Sequence, residues 1–257
     1  MCFDPDSRPP IAPIAGGALD SARLTLTSDD GATFGAFRAR AMTPTGAGII
    51  VLPDVRGLHP YFEELALRFA EHGVDAVAID YFGRTAGDEP RGDTFEHMPH
   101  VSQTTWAGLG ADVRAAAADL RSPAGGAVRS VFTIGFCMGG RLSFLAATLG
   151  LDLAGVVGFY GWPVGPSRND TPAPVEMTGA MASPVLAIFG GADQGIPASA
   201  IREFDAALQG AGVDHRIVTY PDAPHSFFDR KAGEFGSASE AAWEETLAFI
   251  RARTSTA

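Results

Sequence analysis

The chain reads as an α/β protein with a mostly parallel central sheet and helices on both faces. Two observations predict this. Short, continuously apolar runs recur from residue 47 onward, the pattern of strands covered on both sides, and stretches of helical periodicity alternate with them. Parallel neighbours need a crossover long enough to hold a helix, so the alternation itself selects the fold class.

The first twenty residues, with Pro9, Pro10, Pro13 and the Gly16-Gly17 pair, are expected as an irregular arm ahead of one domain over 21–257. Arg23 to Thr27 alternates as a strand, Asp29-Asp30-Gly31 supplies a turn, and Thr33 to Arg40 returns as its hairpin partner. Gly48 to Leu52, stopped by Pro53, is the first buried parallel strand. Tyr61 to Glu71 places Phe62, Leu65 and Phe69 among charges as a helix closing near Gly73, and Val74 to Ile79 is the next strand. Thr105 to Leu120 is an alanine-rich helix and Ser130 to Ile134 a strand. Leu142 to Leu149 then reads as a helix, Leu153 to Phe159 and Val185 to Phe189 as strands, Ala198 to Leu208 as a helix and His215 to Thr219 as the last strand. Trp243, Leu247 and Ile250 mark one face of a C-terminal helix, with Glu244 and Glu245 expected near its start and Arg251 and Arg253 near its end, as the helix dipole prefers. Two long connections, Tyr81 to Gln103 and Gly161 to Ser183, interrupt the rhythm, and irregular segments of that length are often functional.

Composition narrows the function. Thirty acidic residues against nineteen basic ones give a formal charge of -11, which repels phosphate backbones and anionic membranes. Neither nucleic acid nor membrane is expected as a partner, and no obligate protein partner is predicted. The N-terminus lacks the basic start and apolar run of a secretory signal, and no stretch reaches the roughly 20 apolar residues of a membrane span. Two cysteines, Cys2 and Cys137, make no disulfide framework and suit a reducing compartment. The expectation is a soluble, cytoplasmic protein.

The strongest local signal is Gly135-Phe136-Cys137-Met138-Gly139-Gly140-Arg141, between an apolar strand and a helical stretch. Its G-x-C-x-G-G form is that of a nucleophile elbow, a sharp strand-to-helix turn in which glycines remove side chains that would collide. Cysteine stands where serine is usual, and the helix terminus favours its thiolate. Asp193, just past a strand in Gly190-Gly191-Ala192-Asp193, and His225, on the loop after the last strand, follow in the order nucleophile, acid, histidine. The competing roles are a buried structural thiol, an aspartate capping the helix near Pro197, and a surface histidine. In a triad, His225 takes the thiol proton, Asp193 holds its tautomer, and the amides of Met138 and Val55 receive the oxyanion.

With these residues in place the chain resembles the dienelactone hydrolase (carboxymethylenebutenolidase) family, over nearly its whole length from Met1-Cys2-Phe3-Asp4 to the histidine loop. The resemblance implies the α/β-hydrolase fold, no cofactor, and a small lactone or ester as substrate, such as the anionic enol-lactone dienelactone. It implies that Asp54 occupies the position of a glutamate that interacts with the resting thiol, one methylene shorter, and that Arg84 binds a substrate carboxylate. The family's second carboxylate-binding arginine falls at Asp229 here, and Arg230 follows it. A broader esterase or thioesterase and a noncatalytic binding protein of the same fold are the alternatives. Arg56 adds a positive group near the oxyanion turn, and Trp106, Tyr160, Trp162, Phe227 and Phe228 either wall a pocket or fill the core. His59, His97 and His100 lack a ligand spacing, so no metal is assigned, and neither a phosphate loop nor a dinucleotide fingerprint is present.

Overall fold

The computed structural model describes residues 7–92, 94–228 and 233–255. An antiparallel hairpin, β1 (Ala18–Thr27) and β2 (Thr33–Ala41), opens the fold. The alternating part follows as β3 (Ala47–Leu52), α1 (Pro60–Glu71), β4 (Asp75–Ile79), the short α2 (Gly83–Ala86) and α3 (His97–Val101), α4 (Trp106–Arg121) and β5 (Ser130–Phe136). It continues through α5 (Met138–Ala146), β6 (Gly155–Phe159), a 3-10 helix (Pro174–Ala180), β7 (Val185–Gly190), α6 (Ala198–Gly210), β8 (His215–Tyr220) and α7 (Gly236–Arg253). All eight strands join one sheet in the order β1-β2-β4-β3-β5-β6-β7-β8, antiparallel up to the β2-β4 pair and parallel beyond it.

Every residue of β3, β4, β5, β6 and β7 is buried, which is why these strands read as unbroken apolar runs. Helices cover both faces. Gly155 and Gly158 of β6 point to opposite sides, and a Cβ on the first would run into Phe249 of α7 and on the second into Phe144 of α5. On one face α7 meets α1 through Trp243 and Phe69, whose rings lie 4.7 Å apart. On the other, Phe144 of α5 packs on Phe204 of α6 at 5.0 Å. No described helix is long and apolar enough to cross a membrane.

Three boundaries differ from expectation. β1 begins at Ala18, inside the expected 1–20 arm, because its first residues pair with Arg38 to Ala41 through backbone bonds while their side chains stay largely exposed and carry no alternation. α7 begins at Gly236, so Glu244 and Glu245 fall within the helix and only Arg251 and Arg253 serve its dipole. The helix expected from Leu142 begins at Met138, directly after the cysteine, despite two glycines of low helix propensity in its first turn.

Close packing explains those glycines. A Cβ on Gly139 would collide with the carbonyl oxygens of Leu52 and Pro53, one on Gly140 would press on the Phe159 carbonyl, and one on Gly135 would strike the Gly139 carbonyl. The first turn of α5 is thus wedged between the ends of β3 and β6. Gly139→Ala is expected to cost about 3 kcal/mol or more, the upper range for overpacking, because backbone must move to admit the methyl. A thermal melt within a degree or two of wild type would contradict this packing.

Candidate active site

Cys137 sits between β5 and α5 at φ 54 and ψ -112, a left-handed conformation that a side chain with a Cβ rarely adopts. The backbone is held there from both sides. Its amide donates to the Phe159 carbonyl at 3.1 Å, and its carbonyl accepts from the Arg141 amide at 3.2 Å. The turn lifts the thiol off the carboxyl ends of the parallel strands, where loops from several strands converge.

Asp193 and His225 come from the turns after β7 and β8. The Asp193 side chain is buried, and its Oδ1 accepts from the amides of Gly195 at 2.8 Å and Ile196 at 3.3 Å. It does not cap α6, whose N-cap is Pro197 with no side-chain bond. Its Oδ2 lies 2.7 Å from His225 Nδ1. An ionised carboxylate can only accept, so Nδ1 is the donor in this contact. The His225 ring, about one-third exposed, lies 4.9 Å from the Tyr160 ring. Tyr160 at φ 38 and Ser226 at φ 61 share the left-handed strain of Cys137, so three of the five such non-glycine residues described surround this site.

A cavity of about 600 Å³ brings these groups together: Cys137, Met138, Val55 and His225 all line it. The two long connections form its walls, with His97, Met98 and Val101 from the first and Trp162, Pro166, Ser167 and Arg168 from the second. Three arginines, Arg56, Arg141 and Arg168, line it too, and no described acidic side chain does. In a chain of formal charge -11 this is a local reversal of sign.

Other expected site residues lie elsewhere. Asp54 is buried in the turn after β3, where its Oδ1 accepts from the Arg56 amide at 2.9 Å and its Oδ2 is 3.8 Å from Arg56 Nε. It is not among the residues lining the cavity. Arg84 is a clear correction. Its guanidinium is held away from the cavity by Asp30 at 2.6 Å and Asp112 at 2.7 Å, tying α2 to the β1-β2 turn and to α4. Burial works against its charge, yet the bonds to those two carboxylates outweigh it and raise its pKa. Arg230 lies outside the described residues, as do Cys2, the Met1 to Asp4 opening and Asp229.

Two residues not singled out in the sequence also shape the site. Tyr81, two residues past the β4 end, is buried and donates to the Pro53 carbonyl at 2.7 Å, bracing the turn that carries Val55. Burial pushes its phenol well above the usual range, and the nearby carboxylates of Asp54 and Asp80 add to that, so it stays a donor. Arg141 closes the elbow motif itself. Its burial beside the Cys137 turn brings its pKa down to about 10, with Glu176 opposing.

Fold and site together define a hydrolase of the α/β-hydrolase fold. The sequence pattern of the dienelactone hydrolase family matches residues 37–254. A Salmonella typhimurium protein named "putative carboxymethylenebutenolidase" is 31% identical over 93% of this chain and 91% of its own. A Bradyrhizobium protein named "probable 2-oxo-3-(5-oxofuran-2-ylidene)propanoate lactonase" is 27% identical over 79% of this chain and 82% of its own. Among solved structures, a "putative dienelactone hydrolase" from Klebsiella pneumoniae superposes with a TM-score of 0.77 at 28% identity, covering 90% of this chain and 99% of that one. The chain belongs to the dienelactone hydrolase family.

Because Arg84 neutralises the nearly buried Asp112, Arg84→Ala is expected to destabilise the fold by about 2 kcal/mol, a value discounted for partial exposure of the arginine. The KM for an ester substrate should not change. A raised KM at unchanged melting temperature would return Arg84 to the binding site.

Proposed function

We propose that this protein opens a small lactone or cleaves a small ester, in the manner of a carboxymethylenebutenolidase, through Cys137, His225 and Asp193 and a thioester intermediate. The observation that carries this reading is the 2.7 Å contact between His225 and Asp193, in a histidine that faces the same cavity as Cys137.

In the proposed cycle His225 Nε2 takes the proton from the Cys137 thiol as the sulfur bonds to the acyl carbon. The carbonyl electron pair moves onto its oxygen, where the amides of Met138 and Val55 donate; one such donor is worth about 3 kcal/mol in a serine hydrolase. Collapse expels the alkoxide or enolate oxygen, which takes the proton back from the imidazolium; in a lactone it stays tethered to the acyl group. Water then gives His225 a proton while its oxygen attacks the thioester carbon, and the sulfur departs with that proton. Asp193 steadies the imidazolium in both halves.

Arg168, in a cavity whose described lining holds no acidic side chain, favours a substrate that carries a carboxylate. The Bradyrhizobium relative is named for a propanoate lactone, which agrees. A broader esterase or thioesterase is the second reading, favoured by the position of Arg84 outside the cavity. A working thiol fits the reducing cytoplasm.

Cys137→Ala is expected to abolish hydrolysis, and Asp193→Asn to lower kcat by about 10⁴, the scale seen when a triad loses its orienting carboxylate. Mass spectrometry of the wild type with an activated ester should find the acyl group on Cys137. Full turnover by Cys137→Ala would remove the mechanism. In a panel of dienelactone, neutral aryl esters and acyl thioesters, Arg168→Ala should raise KM for the anionic lactone about three- to ten-fold more than for the neutral esters. Equal changes would favour the broader esterase.

A further inference from the structure

Arg141 sits one helical turn after the nucleophile, and its guanidinium faces backbone rather than a carboxylate. Nη1 donates to the Trp162 carbonyl at 3.1 Å, while Nη2 reaches the carbonyls of Gly165 at 2.9 Å, Thr171 at 3.3 Å and Pro172 at 2.9 Å. The residue is only 3% exposed, and no described carboxylate pairs with it. Burying a cation without an ion pair is costly, and here the compensation comes from oxygens of a single irregular segment. That segment has neither a helix nor a strand to satisfy those carbonyls, so each side solves the other's problem.

The same segment is the cavity wall that carries Trp162, Pro166, Ser167 and Arg168. Its far end is clipped to the opposite wall. The Trp106 amide donates to the Asp170 carbonyl at 2.7 Å, the Asp170 amide to the Thr104 carbonyl at 3.3 Å, and Asn169 Nδ2 to Thr104 Oγ1 at 3.0 Å. Arg141 meanwhile donates its own amide to the Cys137 carbonyl. One residue therefore links the nucleophile turn to both walls.

We propose that Arg141 is a positioning residue that sets which substrates fit: its guanidinium is the template around which the Trp162 to Pro172 wall folds, at a fixed offset from Cys137. Lysine cannot replace it, because an ammonium is a compact point charge and cannot fan its donors across four carbonyls. The kinetic arm of the test rests on the hydrolase reading above; the structural arm does not.

In Arg141→Lys, KM for p-nitrophenyl octanoate, which needs the wall, should rise about ten-fold more than KM for p-nitrophenyl acetate, which needs little of it. In Arg141→Ala, added guanidinium chloride should restore the octanoate KM where equal potassium chloride does not. Gly165→Ala disturbs one of the four carbonyls from the loop side, since Gly165 lies at φ 66, and should reproduce the octanoate effect even if the Arg141 variants do not fold. Hydrogen exchange needs no turnover: in Arg141→Lys, or in Gly165→Ala, amides of residues 162–171 should exchange about ten-fold faster while those of β5 and β6 keep their protection. Equal KM changes for both esters, or unchanged exchange in the wall, would overturn the proposal. Absence of any Cys137-dependent turnover in the wild type would overturn the hydrolase reading, leaving the exchange result to decide the role of Arg141.

Discussion

The fold depends on one close approach, the first turn of α5 pressed against the carbonyl ends of β3 and β6. Three glycines permit it, and the left-handed Cys137 results from it, because the chain must leave β5 and enter a helix with almost no intervening backbone. Strain of this kind costs of order 1–3 kcal/mol per residue and persists only where the surroundings over-determine it. Here they do: β3, β5 and β6 are fully buried neighbours, and the Cys137 backbone is bonded on both sides. The placement that projects the thiol into the cavity is thus a property of the packed sheet more than of the cysteine.

Most of the architecture was legible because burial and periodicity coincide. β3 to β7 are covered on both faces and announce themselves as apolar runs, and α1 shows its buried stripe of Phe62, Leu65 and Phe69. Legibility failed where backbone forces overrule side-chain pattern. The first half of β1 is held by a ladder with exposed side chains, and Gly139 and Gly140 lie in a helix that propensity alone argues against. At the site, the elbow and the two residues of the 2.7 Å pair could be picked out from their places after strands. The strain at Tyr160 and Ser226, and the cage around Arg141, arise from contacts distant in sequence and left no local trace.

Arg84 shows how a position can match a family pattern while its side chain serves another purpose. Its place just past β4 fits either role. What decides is the company nearby: Asp112, pushed up in pKa by burial despite Ser28 and the arginine itself, needs a cation more than the cavity does. The cavity draws positive charge from Arg56, Arg141 and Arg168 instead, each supplied by a different segment. Against an overall charge of -11, that arrangement holds an attractive field only at short range, since salt screens charges beyond about 8–10 Å. Discrimination of the proposed anionic substrate then falls to groups inside the cavity.

The division of labour between sheet and connections follows from the same physics. Strand ends carry the three groups of the proposed triad, Cys137 after β5, Asp193 after β7 and His225 after β8, and each is fixed by backbone or carboxylate bonds. The walls come from two irregular connections, which by themselves would be free to move. They are not left so: Thr104 and Trp106 clasp Asn169 and Asp170, and Arg141 anchors the clasped pair to α5. A cavity assembled this way can change its shape through the connections without disturbing the groups on the strand ends, provided that the anchoring cation stays. On the proposed reading, selectivity and chemistry reside in separate parts of the chain that meet at the Arg141 side chain.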